Sequence, residues 1–335
     1  MAMEPELNQP DERLLNVLDE EYGLDRVSLE PLDLGADPNA AVYRLTAAEG
    51  QQFFLKHKRL GVQHISLALP HWLQQQGVSG LTAPIPNLDN DLSTAVEQGV
   101  LILYPFLNGK DGYQTRLTEN HWLILGQVFR RLHESQLPTA LLEQVPGEQY
   151  DPAGRDYVEL LCAADFEWPE EPIAAELHEY LSLHRHTTLN LVARARHLAA
   201  QLAAEPTQNT VCHGDLHAGN AFIDAADNLL LIDWDEVVWA PKEKDLMSVG
   251  AGLMASGLSP QQEAARFYAG YGETDLNLTA LSYFRCERIV QDLAVDGRLI
   301  VEQHGSPAER QQALHYFKAN FLPGQTIDLA MGEGG

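Results

Sequence analysis

"HGDLHAGN", residues 213–220, lies between the apolar runs "TVC" and "AFI", and the reading of its polar residues decides the fold. Two histidines, an aspartate and an asparagine in one short loop admit three explanations: a metal site, a polar turn without chemistry, or a phosphoryl-transfer loop. His213, Asp215 and His217 alternate, so an extended segment would turn all three to one side, and imidazole and carboxylate suit zinc or iron. Gly214 and Gly219 argue for a turn instead, and no further His/Glu cluster stands nearby to complete a coordination shell. Taken alone, the loop is explained by polar side chains satisfying turn backbone.

The loop is not alone. Thirteen residues after Asn220, the apolar run of "LLLIDWDE" delivers Asp233 to its end, after a short hairpin. An Asp, an Asn five residues on and a second Asp beyond a hairpin form the arrangement used for phosphoryl transfer. Asp215 would accept the proton of the attacking hydroxyl, and Asn220 and Asp233 would hold magnesium against the phosphates. Carboxylate and amide oxygens are hard ligands suited to that ion.

Upstream, "VSLEPLDLG" and "AAVYRLTA" read as strands around the turn "GADPNA" (35–40), and "QQFFLKHK" reads as a third strand carrying Lys56. The single glycine of that turn is a weak sign of a phosphate cover, and a lone strand lysine is by itself a surface residue. Their order in the chain gives them meaning. A helix is expected near 64–76, closed by Gly77, and "GVLILYPFL" (99–107) reads as a buried strand broken at Pro105. After "NGKDGYQT" the pattern turns helical. Thr118 caps a stripe of Trp122, Leu125, Phe129 and Leu132, and further helices are expected at 173–204, 260–271 and 278–303. Asp11 is placed as the cap of a first helix carrying Leu14, Leu15, Leu18 and Tyr22. The fold expected is α+β in two lobes, a small antiparallel-sheet lobe over residues 1–107 and a larger, mostly helical lobe over 108–335.

Composition narrows the partners. Against 22 basic residues stand 48 acidic ones, a net charge of −26, which disfavours nucleic acid and anionic membrane surfaces and favours a cationic partner. Cys162, Cys212 and Cys286 form no CxxC pair, no apolar run approaches the roughly 20 residues that span a bilayer, and "MAMEPELNQP" is no signal peptide. A reduced, cytoplasmic protein is expected; the sequence leaves its oligomeric state open.

With these pieces in order, the chain resembles the aminoglycoside phosphotransferase group of the protein-kinase-like fold. "HGDLHAGN" and "IDWDE" carry the broad likeness; "YPFLNGKDGYQTRLT", "LGQVFRRLHE", "APKEKDLM" and "YFRCERIVQDLAVDGR" narrow it towards members that act on spectinomycin. The resemblance implies ATP, or in some members GTP, with Mg2+, and transfer to a hydroxyl of a small cationic molecule, conferring antibiotic resistance. Carried over residue by residue, Asp215 is the catalytic base and Asn220 and Asp233 are the metal ligands. Lys56 contacts the α- and β-phosphates, with Gly35, Asp37 and Asn39 in the turn above them. The carbonyl of Pro105 and the amide of Leu107 pair with adenine. His213 and Asp245 brace the loop. Trp234, Asp235, Glu287 and Asp292 are the acceptor candidates.

One departure stands out. Kinases of this fold usually pair the strand lysine with a glutamate on the next helix, yet residues 57–76 contain no acid. His64 or Gln63 is expected to orient Lys56 by a hydrogen bond instead. This keeps open a nucleotide-binding regulatory protein with little turnover; among enzymes, the alternative is a metabolic kinase for a choline-like amino alcohol.

Overall fold

The structure is a computed structural model that describes residues 12–32, 39–205 and 207–332. Asp11, Gly35 and Asp37 lie outside the described residues.

Helix α1 (Glu12–Tyr22) precedes strands β1 (Ser28–Leu32), β2 (Ala40–Thr46) and β3 (Gln52–Lys58). Helix α2 (His64–Gln75), strands β4 (Thr94–Val96), β5 (Gly99–Pro105) and β6 (Gly109–Asp111) follow. Next come α3 (Glu119–His133), α4 (Thr139–Leu142), α5 (Ala153–Leu161) and the 33-residue α6 (Pro172–Ala204). Strands β7 (Asn209–Cys212) and β8 (Ala221–Asp224) flank the polar loop in sequence, followed by β9 (Leu229–Leu231) and β10 (Val238–Pro241). Helices α7 (Glu243–Leu246), α8 (Pro260–Tyr271), α9 (Leu278–Val301), α10 (Pro307–Ala319) and α11 (Thr326–Gly332) complete the chain.

These elements form two compact units. The first comprises Met1–Thr115, Ser135–Val145 and Gly219–Val237; the second comprises Arg116–Glu134, Pro146–Ala218 and Val238–Gly335. The units thus interleave along the chain. Besides the N-terminal sheet, the first holds a three-stranded sheet of order β6-β8-β9, in which "GKD" at 109–111 pairs with the hairpin that ends near Asp233.

In the first unit the five strands run antiparallel in the order β1-β2-β3-β5-β4. Period-two alternation turns Phe53 and Leu55 of β3 into a core with Leu18 of α1, Tyr43, Leu45, Leu101 and Leu103. Lys56 and Lys58, two apart, therefore share the other face of β3. Burial of each such leucine contributes about 1.5–3 kcal/mol, enough to fix the register that aims the lysines.

In the second unit α3 begins as its sequence predicts: Thr118 accepts from the His121 amide, and the His121 ring accepts from the Thr118 amide. Helices α3 and α8 approach so closely that a Cβ on Gly270 would stand 1.9 Å from the Leu123 carbonyl oxygen, and one on Gly126 would stand 2.2 Å from that of Phe267. Glycine is required at both contacts. The apolar faces of α5, α6, α9, α10 and α11 close around Leu177, Leu191, Val290, Leu293 and Phe317. Helices α5, α10 and α11 were not marked by the sequence patterns above.

Candidate active site

In the second unit, the loop after β7 is built around a buried carboxylate. Asp245, fully enclosed, accepts from the amide of His213 at 2.9 Å and from that of Gly214 at 2.8 Å. Its second oxygen also takes the His133 ring Nε2 at 2.9 Å, while His133 Nδ1 meets the Tyr271 hydroxyl at 2.8 Å. A carboxylate can only accept, so Nε2 carries the hydrogen and Nδ1 accepts from the tyrosine. The close α3–α8 packing sets up this chain. Burial would raise the Asp245 carboxyl, but the hydrogen bonds from His133 and the loop amides outweigh it and hold it below the usual range. The expected bracing by Asp245 takes this form. Ser248 adds a hydrogen bond from its hydroxyl to the Leu216 carbonyl at 2.5 Å.

The loop held in this way presents Asp215, a quarter exposed, with its side chain between Arg288 and His217. Arg288 Nη1 of α9 donates to Asp215 Oδ1 at 2.5 Å, and His217 Nε2 lies 3.4 Å from Oδ2. Burial pushes the Asp215 carboxyl up, but the His217 hydrogen bond and the Arg288 charge overcome it and leave it well below the ordinary carboxylate range. Arg288 also reaches Asp292 Oδ1 at 3.0 Å, one helical turn away. Asp292 is raised by burial against the pull of Arg288, and Asp296, one turn further, is pushed up to about 7 by burial and by the Asp292 charge.

In the first unit, the β8–β9 register pairs Ala221 with Leu231, and the Ile232 amide donates to the Asn220 carbonyl at 3.1 Å. Asn220 is thereby brought to the end of the hairpin where Asp233 emerges. Asp233 has φ +61°, a left-handed conformation that costs a non-glycine residue about 1 kcal/mol or more and gathers at functional sites. Its carboxylate is half exposed, and Lys56 Nζ lies 3.8 Å from Oδ1.

The Lys56 partner corrects the expectation drawn from helix α2. Lys56 donates to Asp235 Oδ2 at 3.0 Å, and Lys58 donates to the same oxygen at 2.8 Å. His64 turns elsewhere, its Nδ1 lying 2.8 Å from Gln144 Oε1 near α4. The missing acid is supplied 179 residues along the chain, where no local pattern could reveal it. Burial favours a neutral Asp235, but the two lysines outweigh that effect and lower its carboxyl.

The other residues named from the sequence fall as follows. Pro105 ends β5, with Phe53 of β3 opposite it, and Leu107 follows two residues later, half-buried. Asn39 precedes β2 and accepts the Arg59 amide at 2.9 Å. Trp234 is buried, and Glu287 is buried against Arg155, at 3.5 Å, accepting from Gln291 at 2.8 Å. Lys58 and Arg288 were not foreseen, although "FLKHK" places Lys58 at strand spacing from Lys56 and "RIVQD" places Arg288 one turn before Asp292.

The fold, an antiparallel N-terminal sheet and a largely helical C-terminal part, with an Asp–Asn–Asp series on a loop and hairpin, is that of a kinase-like phosphotransferase. The chain belongs to the phosphotransferase enzyme family, which it matches over residues 28–281. It is similar to the crystal structure of a spectinomycin phosphotransferase in complex with ADP and spectinomycin. That likeness is 30% identity over 97% of this chain and 99% of the other, with a TM-score of 0.88. The AMP-bound complex of a spectinomycin phosphotransferase is similar at 29% identity over 97% and 99%, with a TM-score of 0.84. A microcompartment-associated aminopropanol kinase, 14% identical over the same shares with a TM-score of 0.65, has the same fold. None of the curated protein sequences matches the chain. The protein is a small-molecule kinase of this family, and no helix among the described residues is long and apolar enough to cross a membrane.

Proposed function

We propose that the protein transfers the γ-phosphoryl group of ATP, or GTP, to a hydroxyl of a small cationic aminocyclitol, with spectinomycin as the acceptor. The observation that carries the reading is the hairpin end in the first unit, where Asn220 and Asp233 emerge together and Lys56 stands 3.8 Å from Asp233. The choice of acceptor rests on the 30% identity, over 97% of the chain, to an enzyme crystallised with spectinomycin.

Asn220 and Asp233 offer hard oxygen donors on adjacent strand ends, and the half-exposed Asp233 carboxylate fits a divalent ion with open coordination positions. Magnesium held there supplies charge neutralisation of the phosphates. Lys56 contacts the α- and β-phosphates, and Gly35, Asp37 and Asn39 are the further phosphate contacts of this reading. The Pro105 carbonyl and the Leu107 amide pair with the adenine edge; proline, lacking an N–H, can contribute only its carbonyl. Asp215 accepts the hydroxyl proton as the new oxygen–phosphorus bond forms and the bond to the leaving ADP breaks. The functional division we propose falls at residue 107, with the nucleotide contacts before it and the base, metal ligands and acceptor contacts in 108–335. We propose that it works in the cytoplasm, in keeping with three buried cysteines that form no disulfide.

Among the acceptor candidates we keep Asp292 and add Asp296 beside it. Trp234 and Glu287 are given to packing because both are buried, and Asp235 is given to the lysines. A protonated amine settling near Asp296 requires that carboxylate charged. With Asp296 at about 7, spectinomycin affinity should weaken as pH falls from 8 to 6, and Asp296→Asn should flatten that profile. Binding curves across that range check it.

The deciding assay couples ADP release to ATP, magnesium and spectinomycin, with a choline-like alcohol in parallel. Release driven by the alcohol and not by spectinomycin would move the assignment to a metabolic amino-alcohol kinase. A chain that binds ATP and turns over neither acceptor would return the regulatory reading. That reading rested on a lysine without a carboxylate, and Asp235 now supplies one. Asp233→Ala should raise the magnesium concentration needed for ATP binding by about tenfold or more, with Asn220→Ala smaller in the same direction. Magnesium titrations of nucleotide binding measure both.

A further inference from the structure

Lys58 and Asp235 of the first unit have no part in the reaction described above. Lys58 sits two residues beyond Lys56 on the same face of β3, and the two ammoniums converge on one oxygen of Asp235, at 2.8 and 3.0 Å. Both lysine side chains are largely withdrawn from water, 14% and 17% exposed. Holding two like charges side by side out of solvent is costly unless each is paired, so a surface role does not account for Lys58. The carboxylate between them comes from the segment just past the metal hairpin. It thus stands where one group could govern both the lysines and the ground beside the metal ligands.

We infer that Lys56 and Lys58 together form a two-lysine clamp for the polyphosphate of the nucleotide, and that Asp235 is the positioning residue that aims both. The inference rests on the nucleotide-binding reading above. Asp235 does from the segment just past the metal hairpin what a helix carboxylate does in other kinases of this fold. Geometry favours this over metal binding for Asp235. Its Oδ2 is already shared by two ammoniums in hydrogen-bond range, whereas Asp233 meets a single lysine at 3.8 Å. A charge-assisted hydrogen bond to each ammonium fixes where its remaining donors point, and those donors are what a phosphate oxygen meets.

Calorimetric titration of the full chain with ATP, ADP and AMP, each with and without magnesium, tests the inference. Lys58→Met should weaken ATP binding about tenfold or more and AMP binding less than about threefold, since a clamp on the outer phosphates has nothing to hold in AMP. Asp235→Asn removes an anion that competes with the phosphates. It should leave magnesium-free ATP binding unchanged or tighter, yet slow ADP release from ATP about tenfold or more because the lysines lose their aim. Asp235→Glu should recover part of that rate, and thermal melting shows whether each variant is folded. Equal losses for ATP and AMP in Lys58→Met, or none, would overturn the clamp. A magnesium requirement raised by Asp235→Asn as much as by Asp233→Asn would make Asp235 a metal ligand and overturn its positioning role. A wild-type chain that binds no nucleotide overturns the parent reading itself, which separates the two failures.

Discussion

Asp215→Asn is expected to cut turnover by about 10²–10⁴ while leaving ATP affinity within about twofold, the loss that follows when general-base assistance and orientation are removed together. The amide is nearly isosteric, and Asp215 belongs to the loop braced by Asp245. The side chain is gripped by Arg288 at 2.5 Å and approached by His217 at 3.4 Å. Such a carboxylate is a weak base at rest, which suits a loose transition state in which the hydroxyl loses its proton late. Because its carboxyl lies well below the ordinary range, Asp215 stays charged through mildly acidic pH. A rate profile between pH 5 and 8 should therefore carry no inflection from this group. Steady-state kinetics beside nucleotide titration of the purified variant check the split. Unchanged turnover would place the base elsewhere.

Legibility in the sequence followed the range of the interactions. The "HGDLHAGN" loop and the Asp233 hairpin were readable because short apolar strands bound each, and the hairpin's own pairing is local, Ala221 with Leu231 across one turn. Helices α3, α8 and α9 announced themselves by helical pattern, and α3 also by its cap Thr118. The Lys56 partner was hidden because Asp235 is 179 residues distant and nothing in "KHKRLGVQH" points to it. The same holds for Arg288, whose 73-residue separation from Asp215 no periodicity encodes. Helix α9 shows the limit at closer range. Glu287 and Asp292 are five residues apart in one acidic-looking stretch, yet the first is buried on Arg155 and the second reaches Arg288 beside Asp215. Helical spacing separates those two faces, but which face meets a core arginine is set by α5, and the sequence of α9 does not contain that information.

Asp245→Asn should be the most damaging change away from the reacting groups, costing about 1–3 kcal/mol for each buried donor it leaves without an acceptor. The carboxylate takes three donors: two loop amides and the His133 ring. An asparagine has one oxygen to offer, and its NH2 must face at least one of those N–H groups, leaving buried donors without an acceptor. Against a typical domain stability of about 5–15 kcal/mol, that is enough to shift urea unfolding to much lower concentration. Turnover should fall even where the variant remains folded, because the His213–Gly214 backbone loses the group that holds Asp215 in place. The pH dependence has a definite sign. The Asp245 carboxyl is lower in the folded chain than in the unfolded one, so its contribution is full above the unfolded value near 4 and fades as pH falls through the folded value. The wild-type advantage over Asp245→Asn should thus be widest near pH 7 and shrink towards strongly acidic pH. Unfolding curves of both proteins across that range measure the gap. A variant within about 1 kcal/mol of wild type at pH 7 would mean that contacts such as the Ser248–Leu216 hydrogen bond hold the loop without Asp245.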